Sequence, residues 1–202
     1  YRTELKEHEH FDFFAGQEAI LDLEKSLIGL HQVENAGMAI ELALVYANKV
    51  GINLNEEIIR AGIREAFWPA RMEKLGENPL ILLDGAHNVH AMNRLLENLG
   101  KEFPDKKITI IFSAITTKDI RQMIKMLQTV KNSRLILTTF DYPKALNLGD
   151  FQRLEEEGVE LAPSWELALV RAQKNLAEDD LLLVTGSLYF SSQVREFLKK
   201  EK

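Results

Sequence analysis

The sequence predicts an α/β protein whose main part is a doubly wound, mostly parallel sheet, preceded by a smaller region of different character. Two observations carry this. From residue 79 onward short apolar runs alternate with amphipathic stretches, as strands joined by crossover helices on both faces of a sheet require. Before residue 68 the order is different: two extended segments, then two helices.

In chain order, Phe11 to Phe14 and Ile20 to Leu30 read as extended segments on either side of Gly16. Helices follow at about Gln32 to Val50 and Asn55 to Phe67. The first of these sets Ala36, Ala39, Ile40, Ala43, Ala47 and Val50 on one wide face, which predicts close packing against a partner lying mostly outside these residues. Trp68-Pro69 ends the region, because proline disfavours helix in the residue before it, and the next strand is expected about ten residues later. The expected domains are therefore 1–68 and 69–202.

In the second region Leu80 to Leu83, Ile108 to Phe112, Leu135 to Leu137 and Leu181 to Val184 read as buried strands. A further strand is expected at Val159 to Leu161, after a helix over Phe151 to Glu157 that Gly158 would stop in a left-handed conformation. Helices between strands declare their inner faces by spacing: Met92, Leu95, Leu96 and Leu99 form one stripe, and Ile120, Met123, Ile124 and Leu127 another. The loop Asp141 to Asp150 is the least regular stretch. Right-handed crossovers between parallel strands bring the strands' carboxyl ends to one rim, where ligand chemistry is expected.

Composition narrows the function. The 202 residues include no cysteine, which excludes disulfides, thiolate metal sites and cysteine nucleophiles and allows a reducing cytoplasmic setting. A net charge of −6 argues against a nucleic-acid partner, since a duplex would be repelled. No apolar run approaches the roughly 20 residues of a membrane helix. The start, Tyr1-Arg2-Thr3-Glu4, has neither an initiator Met nor a signal-peptide pattern, so the chain is expected to be cut from something longer.

Four stretches are candidates for chemistry. Leu82-Leu83-Asp84-Gly85-Ala86-His87-Asn88 runs from a buried strand through Asp-Gly into a helix, a turn whose N–H groups favour anions and from which Asp84 and His87 can face a ligand. Asp84 and Asn88 can equally shape the turn and cap the helix. Metal binding by Asp84 and His87 would lack a third ligand in sequence reach. Leu183-Val184-Thr185-Gly186-Ser187-Leu188-Tyr189 is a second strand-to-helix turn on the same predicted rim, with Ser187 either a substrate contact or an N-cap. It is not a nucleophile elbow, because Thr185 and Tyr189 stand where that motif has its glycines.

The third stretch, Trp68-Pro69-Ala70-Arg71-Met72-Glu73, offers Arg71, whose fork suits a phosphate or carboxylate and also an ordinary salt bridge. The fourth, His31-Gln32-Val33-Glu34-Asn35-Ala36, opens an otherwise apolar helix. Asn35 there reads either as a ligand contact or as a buried asparagine satisfied by backbone, the second being the simpler expectation. His8 and His10 flank Glu9 on an exposed strand, and His90 falls in a helix's first turn; none has ligand spacing to a third group.

Taken in order, His31-Gln32-x-x-Asn35-Ala36, Trp68-Pro69-x-Arg71, Leu83-Asp84-Gly85-Ala86-His87-Asn88 and Thr185-Gly186-Ser187-Leu188-Tyr189 resemble the carboxyl-terminal half of the folylpolyglutamate synthase family, within the Mur ligase superfamily. The resemblance implies a Rossmann-like carboxyl-terminal domain preceded by the tail of an ATPase domain. It also implies an ATP-dependent ligase that adds glutamate to a reduced folate, with dihydrofolate synthesis as an additional activity of some members. ATP and magnesium are its expected cofactors, and the magnesium ligands and phosphate loop belong to an amino-terminal ATPase region; no glycine-rich lysine loop occurs in this sequence. By resemblance Asn35, Arg71 and Asp84 contact ATP, while His87 and Ser187 face the γ-phosphate or the incoming glutamate. The chain alone is expected to be inactive. A nucleotide- or folate-binding module without catalysis, and a Mur-type ligase for other amino acids, are the alternatives. Ala70 stands where the family usually has glycine, and Val89 where a proline often follows the asparagine.

Overall fold

The computed structural model describes residues 1–6, 9–116, 119–152 and 158–200, which divide into two compact units, Tyr1–Pro69 and Ala70–Lys202. His8, the greater part of the helix expected over Phe151 to Glu157, and the terminal Glu201 and Lys202 lie outside the described residues.

The first unit is an antiparallel meander of β1 (Arg2–Leu5), β2 (His10–Ala15) and β3 (Glu18–Glu24), followed by helices α1 (His31–Val50) and α2 (Glu56–Arg64). β1 has no sequence signature because only one of its four residues is apolar; it is an edge strand that pairs Arg2 with Phe14 and Leu5 with Phe11. β3 stops at Glu24, short of the extended stretch expected to reach Leu30. It bulges opposite Asp12, whose carboxylate accepts the N–H of Asp22 at 2.7 Å while Asp22 sits at φ 58°. Phe11, Phe13 and Leu23 from the sheet meet Val33 and Ile40 of α1 and Ile59 of α2 in one core. Gly51 stops α1 at φ 73°, its N–H returning to the last turn. Asn55 caps α2, accepting the N–H of Ile58 at 2.9 Å, and α2 ends at Arg64 rather than at Phe67. Only one face of α1 is covered within this unit: Met38, Leu42, Val45 and Tyr46 are exposed.

The second unit is a six-stranded sheet in the order β4-β5-β9-β6-β7-β8, from β4 (Glu73–Glu77), β5 (Leu80–Leu83), β6 (Ile108–Phe112), β7 (Ser133–Thr138), β8 (Val159–Ala162) and β9 (Leu181–Thr185). β5 to β9 pair in parallel, and β4 is an antiparallel edge. β4 begins four residues after Pro69, well before the first strand expected from sequence; its Glu-Lys-Leu-Gly-Glu has a single bulky apolar residue and no apolar run to betray it.

Among the described residues five helices complete the unit: α3 (Val89–Glu102), α4 (Ile120–Gln128), α5 (Leu148–Gln152), α6 (Trp165–Gln173) and α7 (Leu188–Lys200). Leu83, Ile111, Ile136, Leu182 and Val184 point to the face covered by α6 and α7, where Ala168, Leu169, Ala172, Phe190 and Val194 meet them. The alternate residues Leu82, Ile110, Leu135 and Leu183 face the other way, toward the stripes of α3 and α4. Fully burying each such aliphatic side chain stabilises the sheet by about 1.5–3 kcal/mol. The chain leaves β5 through α3, crosses over β9 to β6, proceeds outward to β7 and β8, and returns through α6 to β9. Reversal of direction moves the crossover to the opposite face, as right-handed connections demand. Hydroxyls tie the carboxyl ends together: Ser113 Oγ donates to the Thr138 carbonyl at 2.7 Å, and Thr138 Oγ1 to that of Ala162 at 3.0 Å.

Candidate functional site

At the carboxyl rim the connections after β5 and β9 leave neighbouring strands for opposite faces, the topological arrangement that opens a ligand crevice in doubly wound sheets. Leu83 pairs with Val184, and one residue further the N–H of Asp84 donates to the Val184 carbonyl at 3.0 Å. Ser191, in the second turn of α7, donates its hydroxyl to the Asp84 carbonyl at 3.1 Å. The turns bearing Asp84 and Ser187 are thus side by side.

Asp84 builds its own turn. Its Oδ1 accepts the N–H of Ala86 at 2.9 Å and its Oδ2 that of Met72 at 3.0 Å. Loss of water around the half-buried carboxyl pushes its pKa above the ordinary aspartate range, against those two N–H donors and the charges of Arg71 and His87, which pull it down. Asn88 caps α3, accepting the N–H of Ala91 at 2.8 Å. Val89 is then the first helical residue, a position that accepts proline as readily as other residues.

His87 is exposed, with Nδ1 2.8 Å from the Gly85 carbonyl oxygen. A carbonyl only accepts, so Nδ1 carries the proton, and in the neutral ring Nε2 is left as an acceptor. Gly85 has no room for a side chain, since a Cβ there would lie 2.2 Å from Leu188 Cδ2.

Arg71 is exposed between two buried residues, Ala70 at φ 53° and Met72 at φ 45°. Left-handed backbone costs a non-glycine residue about 1–2 kcal/mol, so a glycine at position 70 would be the unstrained choice and this chain keeps alanine there. The turn is pinned on several sides: Ala70 N–H donates to Glu73 Oε2 at 2.9 Å, the Ala70 carbonyl accepts Gly85 N–H at 2.7 Å, and Met72 is held by Asp84.

Ser187 is 2% exposed, and its carbonyl accepts the N–H of Ser191 at 2.9 Å, which makes it the residue that opens α7. Gly186 before it has φ 114°, and a Cβ there would fall 2.3 Å from the Ser113 carbonyl oxygen. Two groups escaped sequence reasoning. Thr185 Oγ1 is buried without a hydrogen-bond partner among the described residues, its only signal being a hydroxyl at the end of an otherwise apolar strand. Tyr189, in the first turn of α7, stacks on Tyr142 of the β7–α5 connection with ring centroids 4.4 Å apart, a contact between segments distant in sequence that no spacing rule predicts.

Asn35 lies in the first unit and the other four candidates in the second. The expectation of a buried asparagine satisfied by backbone is overturned: Asn35 is exposed on α1, and its Nδ2 donates to the Oε1 of Gln32 at 2.9 Å. The Nε2 of Gln32 is itself buried without a partner among the described residues. His10, on β2, lies with Nδ1 3.0 Å from Asp22 Oδ1, and His90 is in the first turn of α3. Among the described residues no three histidine, aspartate or glutamate side chains gather into a metal-binding group. Among the described residues no helix is long and apolar enough to cross a membrane.

Comparison with known proteins gives a consistent result. Residues 70–188 match the model for the Mur ligase glutamate ligase domain. The chain is 34% identical over 195 residues to the dihydrofolate synthase/folylpolyglutamate synthase of Bacillus subtilis, covering 95% of this chain and 44% of that protein. It is 36% identical over 179 residues to the folylpolyglutamate synthase of Lacticaseibacillus casei, covering 89% and 41%. A solved FPGS–AMPPCP–folate complex superposes with a TM-score of 0.75 at 31% identity, over 98% of this chain and 44% of that one. The chain therefore spans less than half the length of these relatives.

Proposed function

The chain belongs to the Mur ligase family, among its folylpolyglutamate synthases, and on that footing we propose that it forms one lip of the cleft in which ATP drives the addition of glutamate to a reduced folate. In that reaction the folate carboxylate takes the γ-phosphoryl group of ATP, giving an acyl phosphate and ADP. The amine of glutamate then attacks the acyl carbon, phosphate leaves, and an amide bond remains. Both steps depend on placing reactants and stabilising moving charge, which side chains on a fixed rim can do.

The observation that carries the reading is the adjacency of the two rim turns, joined by the hydrogen bond from Asp84 N–H to the Val184 carbonyl, with the turn of Arg71 bonded to the Asp84 carboxylate. Arg71, exposed and held by its backbone, suits phosphate charge. Asp84, with both oxygens engaged but lone pairs remaining, suits a nucleotide hydroxyl or a metal-bound water. His87 presents Nε2, and Ser187 opens a helix whose first N–H groups favour an anion; these two face the γ-phosphate or glutamate. Asn35 is assigned to the nucleotide from the first unit, residues 1–68 in this reading being the tail of an ATPase domain and 69–202 the carboxyl-terminal ligase domain.

AMPPCP, a non-hydrolysable analogue of ATP, and folate are the ligands of the related complex, and glutamate follows from the reaction. Magnesium accompanies the nucleotide in this reading, but the described residues form no ligand set for it, and no step here is routed through it. The triphosphate must be gripped by a phosphate loop from an ATPase region outside these residues, because their sequence holds none. We assign the activity to the cytoplasm, where ATP and glutamate are available. Calorimetric titration of ATP into the chain alone tests the division of labour: binding weaker than about 1 mM is expected, and micromolar binding would instead favour a free-standing nucleotide-binding module.

A further inference from the structure

We propose that Glu73 and Arg195 form a clamp that positions Arg71, an inference resting on the phosphate-facing role given to Arg71 above. Glu73 opens β4 with its side chain only 4% exposed. A carboxylate so deeply buried requires counter-charge and hydrogen bonds. Arg195 Nε lies 2.8 and 2.9 Å from its two oxygens, Lys199 Nζ approaches to 3.7 Å, and Ala70 donates its N–H at 2.9 Å.

The last of these bonds gives the ion pair its meaning. Ala70 immediately precedes Arg71 and sits in the left-handed region, a conformation alanine keeps only where its surroundings fix it. An apolar side chain would fill the place of Glu73 without the cost of burying a charge. What the acid supplies instead is an acceptor at a fixed point, held from α7 across 122 residues of sequence. α7 thereby serves both turns of the rim: it starts from Ser187 at one end, and through Arg195 it braces the turn that presents Arg71 at the other. Glu73 and Arg195 touch no reacting atom; they are positioning residues.

The test uses the whole 202-residue chain and two NMR readouts: amide hydrogen exchange at Ala70, and the shift of the Arg71 Nε–H signal on titration with ATP to about 10 mM. Glu73→Gln and Arg195→Gln are compared with Arg195→Lys, which keeps the charge, and with Val194→Ala, which loosens α7 in the core without touching the clamp. Expected are an increase in Ala70 exchange of about tenfold or more in Glu73→Gln and Arg195→Gln, with the ATP-induced shift at Arg71 at least halved. Arg195→Lys should recover part of both effects, and Val194→Ala should leave the ATP shift intact. Unchanged exchange at Ala70 in Glu73→Gln, or an equal loss of the ATP shift in Val194→Ala, would overturn the clamp. If wild type shows no ATP-dependent shift at Arg71, the nucleotide role fails, and exchange at Ala70 still decides whether the clamp exists.

Discussion

The N–H of Met72 donates to Oδ2 of Asp84 at 3.0 Å, so an acid at the end of a buried strand holds the turn that displays Arg71. One residue thus shapes two loops, since its other oxygen takes the N–H of Ala86.

Asp84→Ala leaves both N–H groups without their acceptor and is expected to destabilise the second unit by about 2–4 kcal/mol, measured by urea unfolding. Asp84→Asn retains one acceptor oxygen and should lose roughly half as much. Equal stability of wild type and Asp84→Ala would show that the carboxylate does not hold the turns.

Burial raises the Asp84 pKa from its ordinary 3.8, so the folded state holds this proton at pH values where the unfolded chain has released it. The group's contribution to stability is therefore complete below pH 3.8 and is lost as pH rises through the raised value. The advantage of wild type over Asp84→Asn should shrink as pH rises above 3.8, read from denaturation midpoints at a series of pH values. An advantage that grows with pH would mean the two N–H donors, and not burial, dominate this carboxyl.

Gly186 and Gly158 are both left-handed, at φ 114° and 75°, but differ in surroundings. Gly158→Ala meets open space and should cost about 1 kcal/mol of backbone strain. Gly186→Ala drives a methyl group into the Ser113 carbonyl and the Phe112 ring, and should cost about 3 kcal/mol or prevent folding. Thermal unfolding of the two variants makes the comparison.

Arg71 is exposed, so Arg71→Ala should change stability by less than about 0.5 kcal/mol. In a ligase assay supplied with a phosphate-loop polypeptide, the same change should raise the ATP KM about tenfold or more, and Arg71→Lys should fall between, keeping charge but losing the planar fork. An unchanged KM would remove Arg71 from the nucleotide site.

The parallel core was legible because β5, β6, β7 and β9 are buried on both faces and read as continuous apolar runs, and because α3 and α4 repeat their buried residues at helical spacing. β1 and β4 were not, since edge strands of mixed polarity owe their conformation to a partner rather than to a pattern of their own. At the rim, Asp84 and Ser187 were found from strand-to-helix turns. The double hydrogen bonding of Asp84, the burial of Ser187 and the Glu73–Arg195 pair depend on contacts between residues distant in sequence, which local reading does not reach. The expectation of a buried Asn35 fails because helical geometry places it, with Glu34, on the exposed side of α1 within the first unit, which the residue type alone does not reveal.

Glutamate-dependent release of ADP from ATP and a reduced folate, followed with the chain alone and with the chain joined to a region bearing a phosphate loop, bears on the whole scheme at once. Background rates alone, turnover in the joined protein, and loss of that turnover in Arg71→Ala are the predicted outcome. Sustained glutamate-dependent turnover by the chain alone would contradict it, because residues that lack a phosphate cradle would then be driving phosphoryl transfer unaided.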